Sequence, residues 1–422
     1  MRSDDTTFRL AVFNKLGGPL SKSISLCDDG RPISDASDCK MSAGYACNVM
    51  VEGLLGLGNL ISGLESEQAL ALGQILNTED GKILEVVVKE ALTGAPDQIA
   101  RSKDHIRFVE GQPGLLLIDF DQKGMPDDIR ERITEAGGAW SLICQVVPEL
   151  AEAGCLQRAS TSAGLRNAET GENYEGSGGE HIYVAVQDAA DIPRATEVLH
   201  QRLSLAGLGW IRLGSVGQML ERSIVDQSVG SPERLVFEGP PVLVPPLEQS
   251  AEPRRPVVSE GIVVDTRTAL PDLSAREWAR FQAIVQEQKQ LLRPAADELR
   301  ERADDRLARE LADKTGLELP VARDQISRRH RGELLPLHPL QFDDRDLGDV
   351  NVADVLLNPD RYVGEALADP LEGVSYGRNK AKVYRRDDGS LWIKSFAHGG
   401  ARYDLIHDAG TLRALLQALR DN

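Results

Sequence analysis

Two carboxylates separated by one residue, Asp119 and Asp121, end the apolar run Leu-Leu-Leu-Ile-Asp-Phe-Asp at positions 115–121. The apolar residues are typical of a buried strand, and alternate side chains of a strand share a face, so both acids should point the same way. Adjacent carboxylates repel each other and lose hydration, and a divalent cation would compensate their charge. The run therefore predicts a site for two Mg²⁺ or Mn²⁺ ions, as in nucleotidyl transfer, and a strand that runs into an acidic turn is the alternative.

A second group of residues has the chemistry of an anion site. His181 begins an apolar run directly after a Gly- and Ser-rich segment, 176–180, which contains Ser177. Backbone N–H groups in such a segment, together with a serine hydroxyl, can bind an anion, and a nearby histidine can donate to a phosphate oxygen. The alternative is a flexible turn followed by a histidine on an edge strand.

A third acid and an arginine lie further along the chain. Asp226 ends the stretch Ser-Ile-Val-Asp, and Arg234 follows it in Ser-Pro-Glu-Arg-Leu-Val-Phe. The aspartate would complete a three-carboxylate metal site with Asp119 and Asp121. The arginine would bind a triphosphate in a bidentate manner, although single aspartates and arginines are often only solvated.

The elements that must position these residues form an α+β pattern. Region 101–245 alternates predicted strands, helices and polar loops, including a strand over 181–186 and a helix over 192–205. Residues with helical spacing also occur at 54–72 and 84–92. An N-terminal mixed α/β accessory region is predicted at 1–100, and a Pro-rich linker at 246–272. A charged helical region follows at 273–335, interrupted at Pro294 and Pro320. The last part is a small C-terminal α/β module at 336–422, which ends in a helix over 411–420.

Composition and charge restrict the class of protein. The 422 residues suffice for two or three domains, no apolar run is long enough to span a membrane, and the N-terminus is too polar for a signal peptide. The five cysteines are odd in number and lack a Cys-x-x-Cys pair, which predicts reduced thiols and a cytoplasmic location. A net charge of −18 argues against a protein that coats DNA through bulk charge, but it allows one basic groove.

The order and spacing of these motifs resemble the archaeo-eukaryotic primase superfamily. Its first motif, hydrophobic-Asp-hydrophobic-Asp, matches Ile-Asp-Phe-Asp at 118–121, its small residue and histidine match Ser177 and His181, and its hydrophobic-Asp matches Val225-Asp226. The surrounding sequence resembles the primase-polymerases of bacterial mobile elements and phages.

The resemblance implies a fold and an activity. The fold would be a primase-polymerase core, in which an RRM-like sheet is flanked by an α/β unit. The activity would be template-directed transfer of nucleotides from nucleoside triphosphates to a 3′-hydroxyl, with two Mg²⁺ or Mn²⁺ ions and a single-stranded DNA template. The implied catalytic and metal-binding residues are Asp119, Asp121 and Asp226, and the implied nucleotide-binding residues are Ser177, His181, Arg234, Lys123 and Arg158.

Two departures from the family pattern leave alternatives open. The serine often lies two residues before the histidine, but Gly179 occupies that position and Ser177 lies four residues before. Ser160 or Ser162 would then supply the hydroxyl. The third motif is short, so that Glu221 or Glu238 would be alternatives to Asp226.

The C-terminal region contains basic residues that alternate with aromatic ones. Aromatic rings can stack on unpaired bases while lysines and arginines contact phosphates, and a β-hairpin with the turn at 385–389 and aromatics in its core is the alternative. The predicted nucleic-acid contacts are Arg378, Lys380, Lys382, Tyr384, Trp392 and Lys394.

Other functions are compatible with the same residues. A metal-dependent nuclease or phosphodiesterase would use the acids without a triphosphate pocket, and a non-catalytic replication adaptor would use the basic-aromatic region alone. The sequence has no Gly-x-x-x-x-Gly-Lys-Ser/Thr motif, so a helicase, as a further domain or a separate protein, is an expected partner.

Overall fold

The computed structural model of the chain describes residues 1–344, 346–347, 349–397 and 400–410. These residues form a mixed α+β fold, as predicted, and divide into two compact units. The first unit comprises 1–210 and 221–286, and the second comprises 211–220 and the described residues from 287 onward. The predicted boundary at residue 100 does not separate the units, because the N-terminal region and the predicted catalytic region belong to the same one.

An antiparallel sheet, the central sheet, lies in the middle of the first unit. Leu116 and Ile118 of its first strand pack with the helices of the unit, whereas Leu115 and Leu117 pack with residues of the N-terminal region. Burial on both faces explains why this strand reads as a continuous apolar run. In spatial order the strands are Gly114–Phe120, Glu180–Val186, Cys155–Ala159 and Val257–Ser259.

A second sheet, the N-terminal sheet, packs on the face of the central sheet that carries Leu115 and Leu117. It takes its edge strand from the segment after Asp226, and this pairing fixes a distant part of the sequence in the same unit. In spatial order its strands are Leu235–Val236, Gln68–Ala71, Thr7–Lys15, Gly44–Glu52, Leu84–Val87 and Gln98–Ala100.

The segment predicted as a linker, 246–272, belongs to the first unit instead. Residues Val257–Ser259 form the outer strand of the central sheet, and Pro256 precedes them at a position where an edge strand tolerates proline. Small sheets complete the unit: Ser23–Leu26 with Pro32–Asp35 and Val242–Leu243, Leu165–Asn167 with Leu247–Gln249, and Gln74–Ile75 with Ile106–Arg107. A further strand pair, Gly209–Leu213 with Met219–Ser223, contains residues of both units.

The helical spacing predicted at 54–72 is confirmed only for Gly53–Ser62, because Gln68–Ala71 forms a strand of the N-terminal sheet. The predicted helix over 192–205 is present, but 84–92 forms a strand and a short 3₁₀ turn because buried Leu84 and Val86 alternate with exposed Glu85. Pro294 lies inside a continuous helix rather than interrupting it. None of the described helices is long and apolar enough to cross a membrane. The helices that begin in the first unit are Gly53–Ser62, Asp127–Glu135, Ala139–Val146, Ile192–Leu205, Thr266–Ala269 and Ala275–Thr315.

The second unit is built around a sheet of its own, the C-terminal sheet. The predicted hairpin is confirmed, since Ala381–Arg385 pairs with Leu391–Ser395. The helix predicted over 411–420 lies outside the described residues. In spatial order the strands of the C-terminal sheet are Glu333–Leu334, Ala401–Leu405, Leu391–Ser395, Ala381–Arg385 and Ala366–Leu367. A small sheet pairs Pro339–Gln341 with Asp349–Asn351. The helices are Leu319–Ser327, Val352–Leu357 and Pro359–Tyr362.

Candidate functional site

The three predicted metal-binding acids meet in the first unit, and we call Asp119, Asp121 and Asp226 the acidic edge. Asp119 lies near the end of the first central strand, and Asp121 follows that strand and accepts a hydrogen bond from the backbone N–H of Lys123 at 3.0 Å. The backbone N–H of Asp226 donates to the carbonyl oxygen of Asp119 at 3.1 Å. This hydrogen bond holds the third acid beside the first, although the two are far apart in the sequence.

The negative charge of the acidic edge is only partly compensated by neighbouring cations. Burial raises the pKa of Asp119, and the charges of Asp226 and Asp121 raise it further. The charges of His181 and Arg234 lower this pKa, but the net effect is an increase. The side chains of Asp119 and Asp226 are 31% and 35% exposed, so solvent ions can reach them.

Two predicted nucleotide-binding cations lie against the acidic edge. His181 pairs with Asp119 in the register of the central sheet, and its Nε2 is 3.7 Å from an Asp119 carboxylate oxygen. Arg234 Nη2 is 3.8 Å from an Asp226 carboxylate oxygen, and this arginine is 43% exposed. Both distances exceed those of strong hydrogen bonds, so either cation can turn to an anionic ligand. The side chain of Lys123 is exposed close to Asp121.

His181 is also part of a buried charge cluster, the Glu238 network, which consists of Glu238, His181, Tyr183, Arg158 and Arg254. Glu238 is 1% exposed and accepts hydrogen bonds from His181 Nδ1 at 2.7 Å, Tyr183 Oη at 2.6 Å and Arg158 Nη1 at 2.8 Å. Arg254 Nη2 lies 3.8 Å from the same carboxylate. Each partner supplies a positive charge or a proton, so the buried carboxylate is well compensated.

The network sets the charge of the histidine. Burial raises the pKa of Glu238, but the charge and hydrogen bond of His181 and the charge of Arg158 outweigh it and lower the pKa to about 2. Burial lowers the pKa of His181, but Glu238 and Asp119 outweigh it, so that this pKa is raised above its ordinary value. His181 therefore lies between two carboxylates that favour its protonated form, and it joins the buried Glu238 to the acidic edge.

The structure does not support a phosphate contact by Arg158, and it favours Asp226 over its alternatives. Arg158 is buried, with Nε donating to the Arg254 carbonyl at 3.0 Å and Nη1 donating to the carbonyls of Ile61 and Glu238 at 2.9 and 3.0 Å. Because Glu238 is occupied by its network, it is a poor metal ligand. The other alternative acid, Glu221, lies beside Trp278 and Phe281.

The predicted serine and both of its alternatives lie together. The hydroxyls of Ser160, Ser162 and Ser177, which we call the serine cluster, are 3.0–3.1 Å apart, and Ser162 also accepts the Ser177 backbone N–H at 2.9 Å. Ser160 and Ser177 border a depression of about 530 Å³ that Gln122 and Gly178 also line. Gly178 has a φ of +65°, which favours glycine at this turn. All three serine hydroxyls therefore lie at the same place as candidates for the predicted hydroxyl donor.

The donor set of the acidic edge suits a divalent metal ion. Carboxylate oxygens are the ligands that Mg²⁺ and Mn²⁺ prefer, and the pKa of Asp119 is raised first by burial and then by the charges of Asp226 and Asp121, which a bound cation would offset. Across the described part of the chain, no group of three or more His, Cys, Asp or Glu side chains is already arranged to hold a metal. The five cysteines are all free thiols, as predicted.

The C-terminal sheet presents the predicted basic and aromatic residues on one face, the cationic face. Lys382 pairs with Lys394, which pairs with Arg402, while Tyr384 stacks on Trp392 with ring centroids 5.0 Å apart. The alternate residues of these strands are buried on the opposite face.

Two further arginines and two predicted residues lie around the cationic face. Arg402 lies over the Trp392 ring at 4.9 Å and Arg386 at 5.9 Å, and neither arginine is among the predicted contacts. Lys380 lies over Tyr376 at 5.4 Å, and Arg378 precedes the strand and donates to the Phe342 carbonyl at 3.5 Å.

Comparisons with known proteins give no independent identification. No protein-family model, no curated protein and no solved structure matches the chain.

Proposed function

We propose that the protein is a DNA primase-polymerase, which transfers nucleotides from nucleoside triphosphates to a 3′-hydroxyl on a single-stranded DNA template. The observation that carries this proposal is the backbone hydrogen bond that holds Asp226 beside Asp119, with His181 opposite Asp119 in the sheet register. It brings the acids and the cation of three distant sequence motifs together, as the resemblance to the primase superfamily implies.

The acidic edge would hold two Mg²⁺ or Mn²⁺ ions through Asp119, Asp121 and Asp226. When bound, such ions supply Lewis-acid activation of the attacking hydroxyl and neutralise charge on the leaving pyrophosphate. The protein contributes the three carboxylates, and the strand end and the backbone hydrogen bond restrict the backbone of two of these residues, Asp119 and Asp226, before the ligand arrives.

The cations beside the acidic edge would bind the triphosphate. His181, held as a cation by Glu238, would donate from Nε2 to a phosphate oxygen, and the exposed Arg234 would contact the same group in a bidentate manner. The serine cluster would add hydroxyl donors, and Lys123 a further charge. Arg158 would act indirectly, because it fixes Glu238.

The cationic face would bind the single-stranded template. Its row of Lys382, Lys394 and Arg402 would contact phosphates of the template, and the Tyr384–Trp392 pair offers an aromatic surface for a base. A local cationic surface of this kind is compatible with the net charge of −18.

An extension assay tests the proposal. The full chain is incubated with single-stranded DNA, nucleoside triphosphates and Mn²⁺ or Mg²⁺, with and without a primer, and products are resolved on a denaturing gel. We expect extension that Asp119→Asn abolishes and that Asp5→Asn, the same change at an exposed acid of the first unit, leaves intact. Products formed without a primer would identify primase activity.

Other outcomes would replace the proposal. Shortened DNA that depends on Asp119 but not on Arg234 would identify a nuclease or phosphodiesterase. Binding of DNA that depends on Lys394, with no extension in the presence of either metal, would identify a non-catalytic adaptor.

A further inference from the structure

The peptide group between Val225 and Asp226 is held from both sides. Its N–H donates to the Asp119 carbonyl oxygen at 3.1 Å, and its C=O accepts a hydrogen bond from the Ser223 hydroxyl at 3.2 Å. Because a peptide group is planar, two hydrogen bonds at its opposite sides fix the orientation of the whole plane. The Ser223 hydroxyl therefore acts on the backbone from which the Asp226 side chain projects.

The Asp226 carboxylate is oriented from this backbone. Its Oδ1 accepts the backbone N–H of Ser228 at 2.9 Å, in the short 3₁₀ turn that follows. Its Oδ2 lies 3.8 Å from Nη2 of Arg234. A rotation of the preceding peptide group would break the hydrogen bond to Asp119 and displace the carboxylate from the acidic edge.

Ser223 is itself held by a histidine. His200 lies on the helix Ile192–Leu205, its Nδ1 is 2.9 Å from Ser223 Oγ, and both residues are buried. The Val225 carbonyl can only accept, so Ser223 donates its hydroxyl hydrogen there and His200 donates from Nδ1 to the serine oxygen. Burial lowers the pKa of His200 to about 4, and the ring is neutral at pH 7 with one N–H. The edge-to-face contact with Phe281, at a centroid distance of 6.1 Å, restricts the ring further.

We propose that Ser223 and His200 are positioning residues of the acidic edge. His200 orients the Ser223 hydroxyl, and this hydroxyl fixes the peptide group that precedes Asp226. The fixed peptide group keeps Asp226 beside Asp119, where both carboxylates can reach one divalent metal ion. The inference rests on the proposed function and deepens it, because it names residues that assemble the proposed metal site. Partners that orient the ligands of a metal commonly affect its affinity as well.

Hydrogen exchange tests the backbone part of this inference without a metal. Ser223→Ala should speed exchange of the Asp226 amide by about tenfold or more, because the peptide group can rotate more freely. The amide of Val184 in the central sheet should keep its wild-type rate. Ser204→Ala is the matched control, since this buried serine also donates to a carbonyl, that of His200 at 2.9 Å, and it should change neither amide. An unchanged Asp226 amide in Ser223→Ala, or equally faster exchange of both amides, would overturn the inference.

Metal binding tests the functional part. Mn²⁺ is titrated into the full chain with a nucleoside triphosphate present, and bound metal is followed by electron paramagnetic resonance. We expect Ser223→Ala to weaken Mn²⁺ binding about threefold to tenfold, and Ser204→Ala to leave it unchanged. Ser223→Thr restores the hydroxyl at a strand end that accepts a β-branched residue, and it should bind like the wild type.

The histidine provides a second pair of variants, which applies even if Ser223→Ala does not fold. His200→Phe removes the donor and keeps an aromatic ring beside Phe281, so it should weaken Mn²⁺ binding. His200→Asn places an amide N–H near the position of Nδ1 and should bind more tightly than His200→Phe.

The outcomes separate this inference from the proposed function. Wild-type Mn²⁺ binding that Ser223→Ala and His200→Phe retain, or that Ser204→Ala weakens equally, would overturn the inference and leave the proposed function intact. Absence of Mn²⁺ binding by the wild type would overturn the proposed function and the inference with it.

Discussion

The acidic edge and the Glu238 network are neighbouring groups of carboxylates with opposite charge environments. Glu238 is 1% exposed and is contacted by a histidine, a tyrosine and two arginines. Asp119 and Asp226 are about one-third exposed and meet cations only at 3.7–3.8 Å. The difference indicates that Glu238 stabilises the fold, whereas the acidic edge retains charge that the proposed function assigns to a metal ligand, and His181 connects the two.

The largest expected effect comes from removal of Glu238. We expect Glu238→Ala to lower the free energy of unfolding by about 3–5 kcal/mol, because Arg158 and Arg254 would remain buried without their anion. Glu248→Ala is the matched control, since Glu248 pairs with Arg166 at 2.7 Å on the surface, and it should cost about 1 kcal/mol or less. Urea unfolding measures both, and equal losses would show that burial does not distinguish the two pairs.

The charge on His181 should depend on the Glu238 network. Glu238→Gln removes the largest influence that raises the pKa of His181, so an NMR titration should find this pKa lower in the variant than in the wild type. A raised histidine pKa stabilises the fold below the ordinary value of 6.5, and this stabilisation is lost as the pH rises through the folded value. The stability difference between wild type and variant should therefore decrease above pH 6.5, and an unchanged His181 titration would contradict the coupling.

Removal of a negative charge from the acidic edge should not lower the free energy of unfolding, in contrast to removal of Glu238. We expect Asp119→Asn to leave the free energy of unfolding unchanged or to raise it by up to about 1 kcal/mol at pH 7, because burial and like charge disfavour the carboxylate. The folded pKa is raised, so the penalty exists above the unfolded value of 3.8 and disappears below it. The gain should vanish as the pH falls toward 3.8, with Asp5→Asn as the control. A loss as large as that of Glu238→Ala would place Asp119 among the structural acids.

The smallest effect is expected in the serine cluster. Ser177→Ala should raise the KM for nucleotide by about two- to fivefold, because Ser160 and Ser162 lie within 3.1 Å and keep donors in place. The triple alanine variant should raise it more than any single change. Steady-state extension assays measure these values, and a single change as severe as the triple one would show that only Ser177 contacts the ligand.

The sequence predicted the parts of this arrangement that depend on local patterns. The strand that carries Asp119, the strand of His181 and the helix over 192–205 each have a clear apolar run or period, and the structure contains all three. The role of Glu238 could not be predicted, because its partners come from separate strands and from the supposed linker. The pairing of the N-terminal region with residues 235–236 could not be predicted for the same reason, because the two segments are far apart in the sequence.

Metal binding by the acidic edge is the most direct test of the central claim. Mn²⁺ is titrated into the full chain and followed by electron paramagnetic resonance, with Asp119→Asn, Asp226→Asn and the control Asp5→Asn. The account predicts Mn²⁺ binding that either acidic-edge variant weakens at least about tenfold and that the control retains. Mn²⁺ binding of equal strength in all four proteins, or none in the wild type with nucleotide present, would contradict the assignment of these acids to a metal site.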